Sequence, residues 1–292
     1  IENKLLIDAS LAELISDKIE DSNGKVSGRA MLVNEKNDLQ SFFQVTGDKV
    51  HFKLKAVPGT FNATDFTFVQ DGKDLLIQHF QTFYGKGKVS ATGGINFKMP
   101  VPTVNVEFEM ENSTIPLFEK SYLVVSGKGK ISGEKLPYFG YGNFSIYHGE
   151  ILDSLDSFTK QKLNTREYSR YIPKSFKKQE YQFFSYDISV DLARPIKLQN
   201  NLAELYFSGG VRAIGKDLSP QLTGDINIIQ GTSKFVFKGQ EFNLTEGIIS
   251  FDKQTQSGKI NPDINFIGVS DINAYEVKVD ISGASDNVKI NL

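Results

Sequence analysis

Apolar and polar residues alternate along most of this chain, most strictly near its C-terminal end. Tyr275, Val277, Val279 and Ile281 fall on one parity, and Glu276, Lys278 and Asp280 on the other. Successive strand side chains point to opposite sides of a sheet, so this rhythm predicts one apolar and one polar face. Val288, Ile290 and Leu292 resume it after the turn-like stretch 283–287. Earlier strands are expected around Leu5, Ile7 and Ala9, then from Val26 onward. Val50, Phe52 and Leu54 precede a Pro58-Gly59 break, and further pairs are Phe66 with Phe68 and Leu75 with Ile77. Two longer runs follow: Ile95, Phe97 and Met99, then Val104, Val106, Phe108 and Met110. A capped helical turn is expected over Ser10–Ile15, ended by Asp21-Ser22-Asn23-Gly24.

A short phrase recurs as Gly24-Lys-Val-Ser-Gly28, Gly87-Lys-Val-Ser-Ala91 and Gly129-Lys-Ile-Ser-Gly133, with an echo in Gly247-Ile-Ile-Ser250. Its recurrence suggests a sheet that grows by repeated addition, with each phrase sitting where one strand turns into the next. Gly85-Lys-Gly87 and Gly127-Lys-Gly129 lack the following helix that a phosphate-cradling loop needs, so turn or bulge glycines are the expectation.

One stretch breaks the rhythm. Residues 152–182 carry Lys160, Lys162, Arg166, Arg170, Lys174, Lys177 and Lys178 against only a few carboxylates, with Phe158, Tyr168, Tyr171 and Phe176 interleaved. Such a segment can contact anionic headgroups or a protein partner, or be a solvated excursion, partly helical or disordered, that Pro173 interrupts.

Composition narrows the rest. At 292 residues the chain can form one large all-β unit or two smaller domains, and its net charge of −2 argues against a nucleic-acid partner. It has no cysteine, so thiolate metal sites and disulfides are out, and His51, His79 and His148 lie far apart. There are 23 Phe and 11 Tyr but no Trp, which fits pleated, half-buried surfaces. No His-Glu-x-x-His helix, nucleophile elbow or Walker loop is present, and Asp225, Asp252, Asp263, Asp271 and Asp280 fall on polar strand positions or turns. Neither an enzyme site nor a cofactor or metal is expected. No run of eighteen apolar residues would span a membrane as a helix. The opening Ile1 and the strand-like Leu292 lead us to expect a piece of something longer.

From Tyr186 to Leu292 the order of motifs is distinctive. Ile188-Ser-Val-Asp-Leu192 leads into Leu202-Ala-Glu-Leu205, Val211-Arg-Ala-Ile-Gly215 and Pro220-Gln-Leu-Thr-Gly-Asp-Ile226. Ile229-Gln-Gly-Thr-Ser-Lys-Phe-Val-Phe237 and Phe242-Asn-Leu-Thr-Glu-Gly-Ile-Ile-Ser-Phe251 come next, then Asn261-Pro-Asp-Ile264 and Tyr275–Gly283. This succession resembles the C-terminal domain of the TamB family, within the wider AsmA-like group. Val26-Ser-Gly-Arg-Ala30 and Val125-Ser-Gly-Lys-Gly129 are similar to its repeated strand openings. The basic segment after Leu152 has no counterpart in that pattern, and the chain stops where a terminal portion follows in the family.

The resemblance implies an all-β fold: an elongated, mainly antiparallel sheet folded lengthwise into an open, β-taco-like trough with an apolar inside, plus a short helical or irregular insertion. It divides the chain into a repeat-like part of the trough (1–151), the basic insertion (152–182) and a TamB C-terminal-like β domain (183–292). It further implies the periplasm of a diderm bacterium, an inner-membrane anchor outside this fragment, phospholipid as cargo, and an Omp85-type, TamA-like outer-membrane barrel as partner.

The residues suit that role. Withdrawing an acyl chain of ~15 methylenes from water is worth ~12 kcal/mol, and a groove need only supply non-directional apolar contact to hold it. The candidate lining is Ile188, Val190, Phe207, Ile226, Ile228, Phe235, Phe237, Phe242, Leu244, Phe251, Phe266, Val277 and Val279. The same residues would equally fill a closed β-sandwich core. Other readings are an edge-pairing module that assists outer-membrane protein assembly, a glycan-processing β-solenoid enzyme, and a piece of an outer-membrane barrel.

Overall fold

A computed structural model describes residues 2–10, 18–35, 38–55, 57–98, 100–117, 120–152, 182–216, 219–251 and 260–292. Every regular element among them is a strand, and all belong to one 17-stranded sheet. The helical turn expected over Ser10–Ile15 and the insertion at 152–182 fall almost wholly outside the described residues.

The first nine strands form a meander: β1 (Glu2–Asp8), β2 (Ile19–Glu35), β3 (Asp38–Leu54), β4 (Phe61–Asp71), β5 (Asp74–Tyr84), β6 (Gly87–Asn96), β7 (Thr103–Pro116), β8 (Tyr122–Gly133) and β9 (Tyr138–Ile151). Each pairs antiparallel with the next. β10 (Phe184–Gln199) then lies parallel to β9, and a second antiparallel run continues. Its members are β11 (Ala203–Lys216), β12 (Ser219–Ile228), β13 (Lys234–Phe237), β14 (Gln240–Ser250), β15 (Asp263–Ile272), β16 (Tyr275–Ala284) and β17 (Lys289–Asn291). β12 and β13 both pair with β11 on one side and β14 on the other, so they are one strand interrupted at 229–233. Among the described residues β1 pairs only with β2 and β17 only with β16, so the sheet has two free edges and does not close into a barrel.

The strands are long, and most are broken near one end by a register shift. Bulges fall at Gly47/Val50 in β3, Asn62/Asp65 in β4, Met110/Ser113 in β7, Leu192/Ile196 in β10 and Leu244/Glu246 in β14. Lys49, Ala63 and Asn112, at three of these sites, have φ near +50° (49°, 46° and 49°). An extra residue bends its strand, and bulges lined up across neighbouring strands bend the whole sheet. The gap between β12 and β13 falls on the same line. The result is a crease that crosses the molecule, with a short arm of four or five residues per strand on one side, as in Tyr122–Val125 and Tyr275–Val279.

Burial follows the crease. Thr64, Thr82, Ser113 and Val279 have no accessible surface, and Val50, Val125, Ile146, Ile196, Ile228, Phe242 and Leu244 are also buried. Register places all of these on one face, the inside of the bend; among strand residues, buried Val69 alone faces the other way. The inside of a bend is crowded, which explains the small hydroxylated residues there. Their oxygens serve backbone and side-chain groups freed by the bulges: Thr64 Oγ1 and Thr82 Oγ1 are 2.8 Å apart, Ser113 Oγ donates to Lys88 O (3.3 Å), and Tyr206 N–H donates to Ser233 Oγ (3.0 Å).

Several sequence expectations are corrected. Asp21–Gly24 does not end an element but lies inside β2, where Ser22 Oγ donates to Ala9 O at the crease. β6 stops at Asn96, short of Phe97. Of the glycine phrases, only Gly87 follows a turn directly; Gly24–Gly28, Gly129 and Gly247 lie within strands. Their role is close approach rather than turning. A Cβ on Gly129 would lie 2.3 Å from the Phe108 ring, and one on Gly47 would lie 2.2 Å from Phe66. Aromatic rings from neighbouring strands lie flat over these bare positions.

Candidate functional site

Direct cross-strand partners share a face, so the registers assign each residue to one side of the sheet. One face collects Gly28, Val45, Phe66, Phe68, Ile77, Ala91, Val106, Phe108, Ile131, Phe144 and Leu192 from β2 to β10. It continues through Val211, Leu222, Ile249, Ile264 and Ile281. Among the described strand positions this face carries no Asp, Glu, Lys or Arg away from the bulges. With β12 and β13 counted once, sixteen strand positions at ~4.8 Å spacing give a face about 70 Å long.

The expected lining residues all come to this face. Ile188 and Val190 oppose Ala213 and Val211; Phe207 opposes Ile228; Ile226 opposes Ile249; Phe235 opposes Phe242. Phe266 opposes Ile281, and Val277 opposes Ser270. Phe237 closes β13, and Phe251, just beyond β14, donates its N–H to Gly224 O at 2.9 Å. They differ in depth. Ile228, Phe242, Leu244 and Val279 are sealed at the crease, whereas Ile188, Val190, Phe207, Ile226, Phe235, Phe237, Phe251, Phe266 and Val277 are half-buried on the arms. The first group can only hold the fold together; the second is reachable.

The alternation in β3–β9 contributes as much of this face as the C-terminal part, which sequence reasoning did not single out. Phe108 and Phe144 stack at 6.2 Å across β8, over the bare Gly127 and Gly129, and Phe66 stacks on Phe68 at 4.8 Å. A strand glycine two positions from an aromatic was the available signal, but reading it needs the register. A small cluster of Val125, Ile146 and Ile196, with Ile115, Leu123, Phe144, Ile151, Val190 and Leu192 packed around it, anchors the crease between β7 and β10.

Among the described residues no second layer packs over the arms of this face. Leu32 is 44 % exposed, Phe43 41 % and Ile290 48 %, and the ring contacts among the described residues join nearby strands. The closed-sandwich reading does not describe this sheet.

The opposite face carries the charge. Glu107 pairs with Lys130 at 2.8 Å, Glu109 with Lys128 at 3.0 Å, Lys197 with Glu204 at 2.9 Å and Lys234 with Glu241 at 3.1 Å. Arg212 Nε–H donates to Asp187 Oδ1 at 2.7 Å, and Nη2 donates to the other carboxylate oxygen. Hydrogen bonds from Arg212 and Lys130 hold the Asp187 and Glu107 carboxyls below their ordinary range, and Lys197 and Tyr206 do so for Glu204. A concavity of about 450 Å³ on this face, between β6 and β9, is lined by the Glu107–Lys130 and Glu109–Lys128 pairs together with Ser90, Thr92, Tyr141 and Asn143.

The basic residues Lys160, Lys162, Arg166, Arg170, Lys174, Lys177 and Lys178 lie outside the described residues. Among those described, no group of His, Asp or Glu is arranged to hold a metal ion, and no helix is long and apolar enough to cross a membrane.

Comparison with known proteins adds one finding. Curated proteins give no match to the chain. A family model for the TamB C-terminal domain matches residues 78–292, reaching back through β6–β9 well beyond the stretch whose motifs first suggested it. A match over most of the chain, on a single creased and open sheet, shows that the protein belongs to the TamB family, with a role in the bacterial cell envelope.

Proposed function

We propose that this chain is a periplasmic segment of a bridge that carries phospholipid between the inner and outer membranes of a diderm bacterium, held to the inner membrane through a segment outside this fragment. The observation that carries the proposal is the separation of charge: a half-exposed apolar face about 70 Å long, backed by a face where the strand charges reside. That length is more than twice the ~30 Å hydrocarbon thickness of a bilayer, so a lipid occupies part of the trough and must move along it. The crease hydroxyls are engaged by the protein and offer no fixed headgroup site. Acyl chains are then held by burial alone, at ~0.8 kcal/mol per CH₂, and exchange one apolar contact for the next as they slide. The role is transport, without catalysis.

The test is photo-crosslinking in a diderm bacterium with probes at Val190 and Phe266 on the apolar arms and at Lys128 and Lys278 on the charged face. Phospholipid adducts at the first pair but not the second are expected; equal labelling at all four, in folded protein, would overturn the reading.

A second reading rests on the free edges. β17 leaves one edge unpaired among the described residues, with Ile290 and Leu292 exposed, and such an edge can template a strand of an outer-membrane protein or its Omp85-type barrel partner. Crosslinks from Ile290 to a barrel protein, without lipid adducts at Val190, would favour it.

A further inference from the structure

Tyr206 shows how the charged face holds an aromatic ring. Its hydroxyl donates to Glu204 Oε1 at 3.1 Å, and the Lys197 ammonium lies 5.7 Å from its ring centroid. Tyr141, on the same face two strands away, is left open. It is 47 % exposed, and among the described residues its hydroxyl makes no hydrogen bond and no cation covers its ring. Phe139 beside it is 45 % exposed, with the two ring centroids 6.4 Å apart. The fold buries neither ring.

Tyr141 forms one wall of the concavity of about 450 Å³ between β6 and β9. Register lays the floor out in two rows. Thr92, Glu107, Lys130 and Tyr141 are partners across successive strands, and Ser90, Glu109, Lys128 and Asn143 repeat the series two residues along. Three strand spacings of ~4.8 Å make each row about 14 Å long, and the rows stand about 7 Å apart. The middle of each row is an ion pair, at 2.8 Å and 3.0 Å, so the charges of the lining cancel. The side chains of Ser90, Thr92 and Asn143 have no hydrogen-bond partner among the described residues. The site therefore offers free donors and acceptors, charges that are already paired, and an open ring.

This combination selects a class of ligand. A phosphate, a carboxylate or a metal ion would have to break an ion pair to be held here. A pyranose sugar breaks none. One of its faces is a run of C–H groups that stacks on an aromatic ring, while its hydroxyl and acetamido groups meet hydroxyl, amide and paired charged side chains around the edge. The volume lies within the ~300–1,000 Å³ of small-ligand sites, and the length of the rows suits a short run of sugar rings.

We infer that this concavity binds a neutral glycan, a chain of pyranose rings such as the N-acetylhexosamine strands of the cell wall, with Tyr141 as the stacking platform and Ser90, Thr92 and Asn143 as hydrogen-bonding partners. The protein belongs to the cell envelope, where such strands lie. The apolar face is on the other side of the sheet, so the inference does not depend on what that face carries. The concavity binds without cleaving. The Lys130 hydrogen bond holds the Glu107 carboxyl below its ordinary range, and Glu109 faces Lys128 in the same way, whereas glycoside cleavage needs a carboxylic acid that keeps its proton.

The test is calorimetric titration of the full chain with the N-acetylglucosamine tetramer, an uncharged stand-in for a wall strand. Saturable binding at millimolar ligand is expected. Tyr141→Ala should weaken it about tenfold, and Tyr141→Phe, which keeps the ring, should leave it nearly unchanged. Asn143→Ala should weaken it about fivefold. Phe83→Ala, which removes an exposed ring outside the concavity, should change nothing. All three positions are exposed, so the variants should keep the native circular dichroism. Because ligand and lining are both neutral, ~1 M NaCl, which shortens the Debye length to ~3 Å, should leave the affinity unchanged. Native affinity in both Tyr141→Ala and Asn143→Ala, or no binding by the native chain at millimolar tetramer, overturns the proposal. Tighter binding of polygalacturonate than of the tetramer, lost in the same salt, assigns the surface to anions through its lysines and also overturns it. Retention on purified cell-wall sacculi that Tyr141→Ala removes identifies the wall as the source of the glycan; tetramer binding without such retention overturns that source.

Discussion

Crease and arms lie on the same strands and the same face, yet they are built from different residues. At the crease the side chains are small or fully enclosed, and polar ones are hydrogen-bonded: Thr64 to Thr82, Ser113 to the β6 backbone, Val279 without any exposure. On the arms the side chains are Phe, Val and Ile, left half-exposed because no second layer covers them among the described residues. The comparison separates two tasks along each strand. Stability is concentrated in a narrow line, which leaves the surface on either side free to meet a ligand without the fold depending on it.

The sharpest way to break that comparison is to put the same charge on both regions. Val279→Asp buries a carboxylate with no partner and should cost about 3–5 kcal/mol or unfold the chain, whereas Phe266→Asp on the arm should cost clearly less and abolish lipid retention. Equal destabilisation by the two, measured in urea, would erase the distinction. Next, Gly129→Val drives a side chain into the Phe108 ring and should cost about 1–3 kcal/mol; pairing it with Phe108→Ala should recover part of that loss if close approach is the reason for the glycine. Thr82→Val leaves the Thr64 hydroxyl and the Asn62 carbonyl short of a partner and should cost about 1–2 kcal/mol, with the Thr64→Val, Thr82→Val double variant less affected than the sum.

The smallest effect belongs to the charged face. The folded Asp187, Glu107 and Glu204 carboxyls titrate below their unfolded values of 3.8, 4.5 and 4.5. Their contribution is therefore present above those values and fades as pH falls through the lower folded ones. These pairs are solvent-exposed, so the melting temperature should decline only slightly between pH 5 and pH 3, and Asp187→Asn should flatten part of that decline.

Much of this was legible in the sequence, for a definite reason. A period of two survives in any strand with one buried face, and it assigned Ile188, Val190, Phe266 and Val277 to one side without knowledge of their neighbours. The crease was not legible. A bulge shifts the parity by one residue, so Gly47-Asp48-Lys49-Val50 and Met110-Glu111-Asn112-Ser113 read as lapses in the rhythm rather than as a bend. Asp21-Ser22-Asn23-Gly24 has the composition of a turn and is instead the crease segment of β2. Depth was hidden too: Val277 and Val279 are equivalent in pattern, and only the bend makes one half-exposed and the other sealed. In β6–β9 the family likeness showed only loosely, through Val125-Ser-Gly-Lys-Gly129, because the glycines there signify the ring above them, which lies on another strand.

The meander also makes the molecule a ruler. Adding or removing a hairpin lengthens or shortens the trough by about 10 Å while returning the chain to the same rim with the same face inward. A single-strand step cannot do this, because the chain would re-enter the sheet from the wrong rim unless it first travelled the height of the sheet. β9 and β10 are the place where that journey was made: they run side by side in the same direction, and the face passes across them unbroken from Phe144 to Val190. A gene of this kind can therefore tune the distance it spans in even-numbered increments, and a parallel joint marks where an odd one was accommodated.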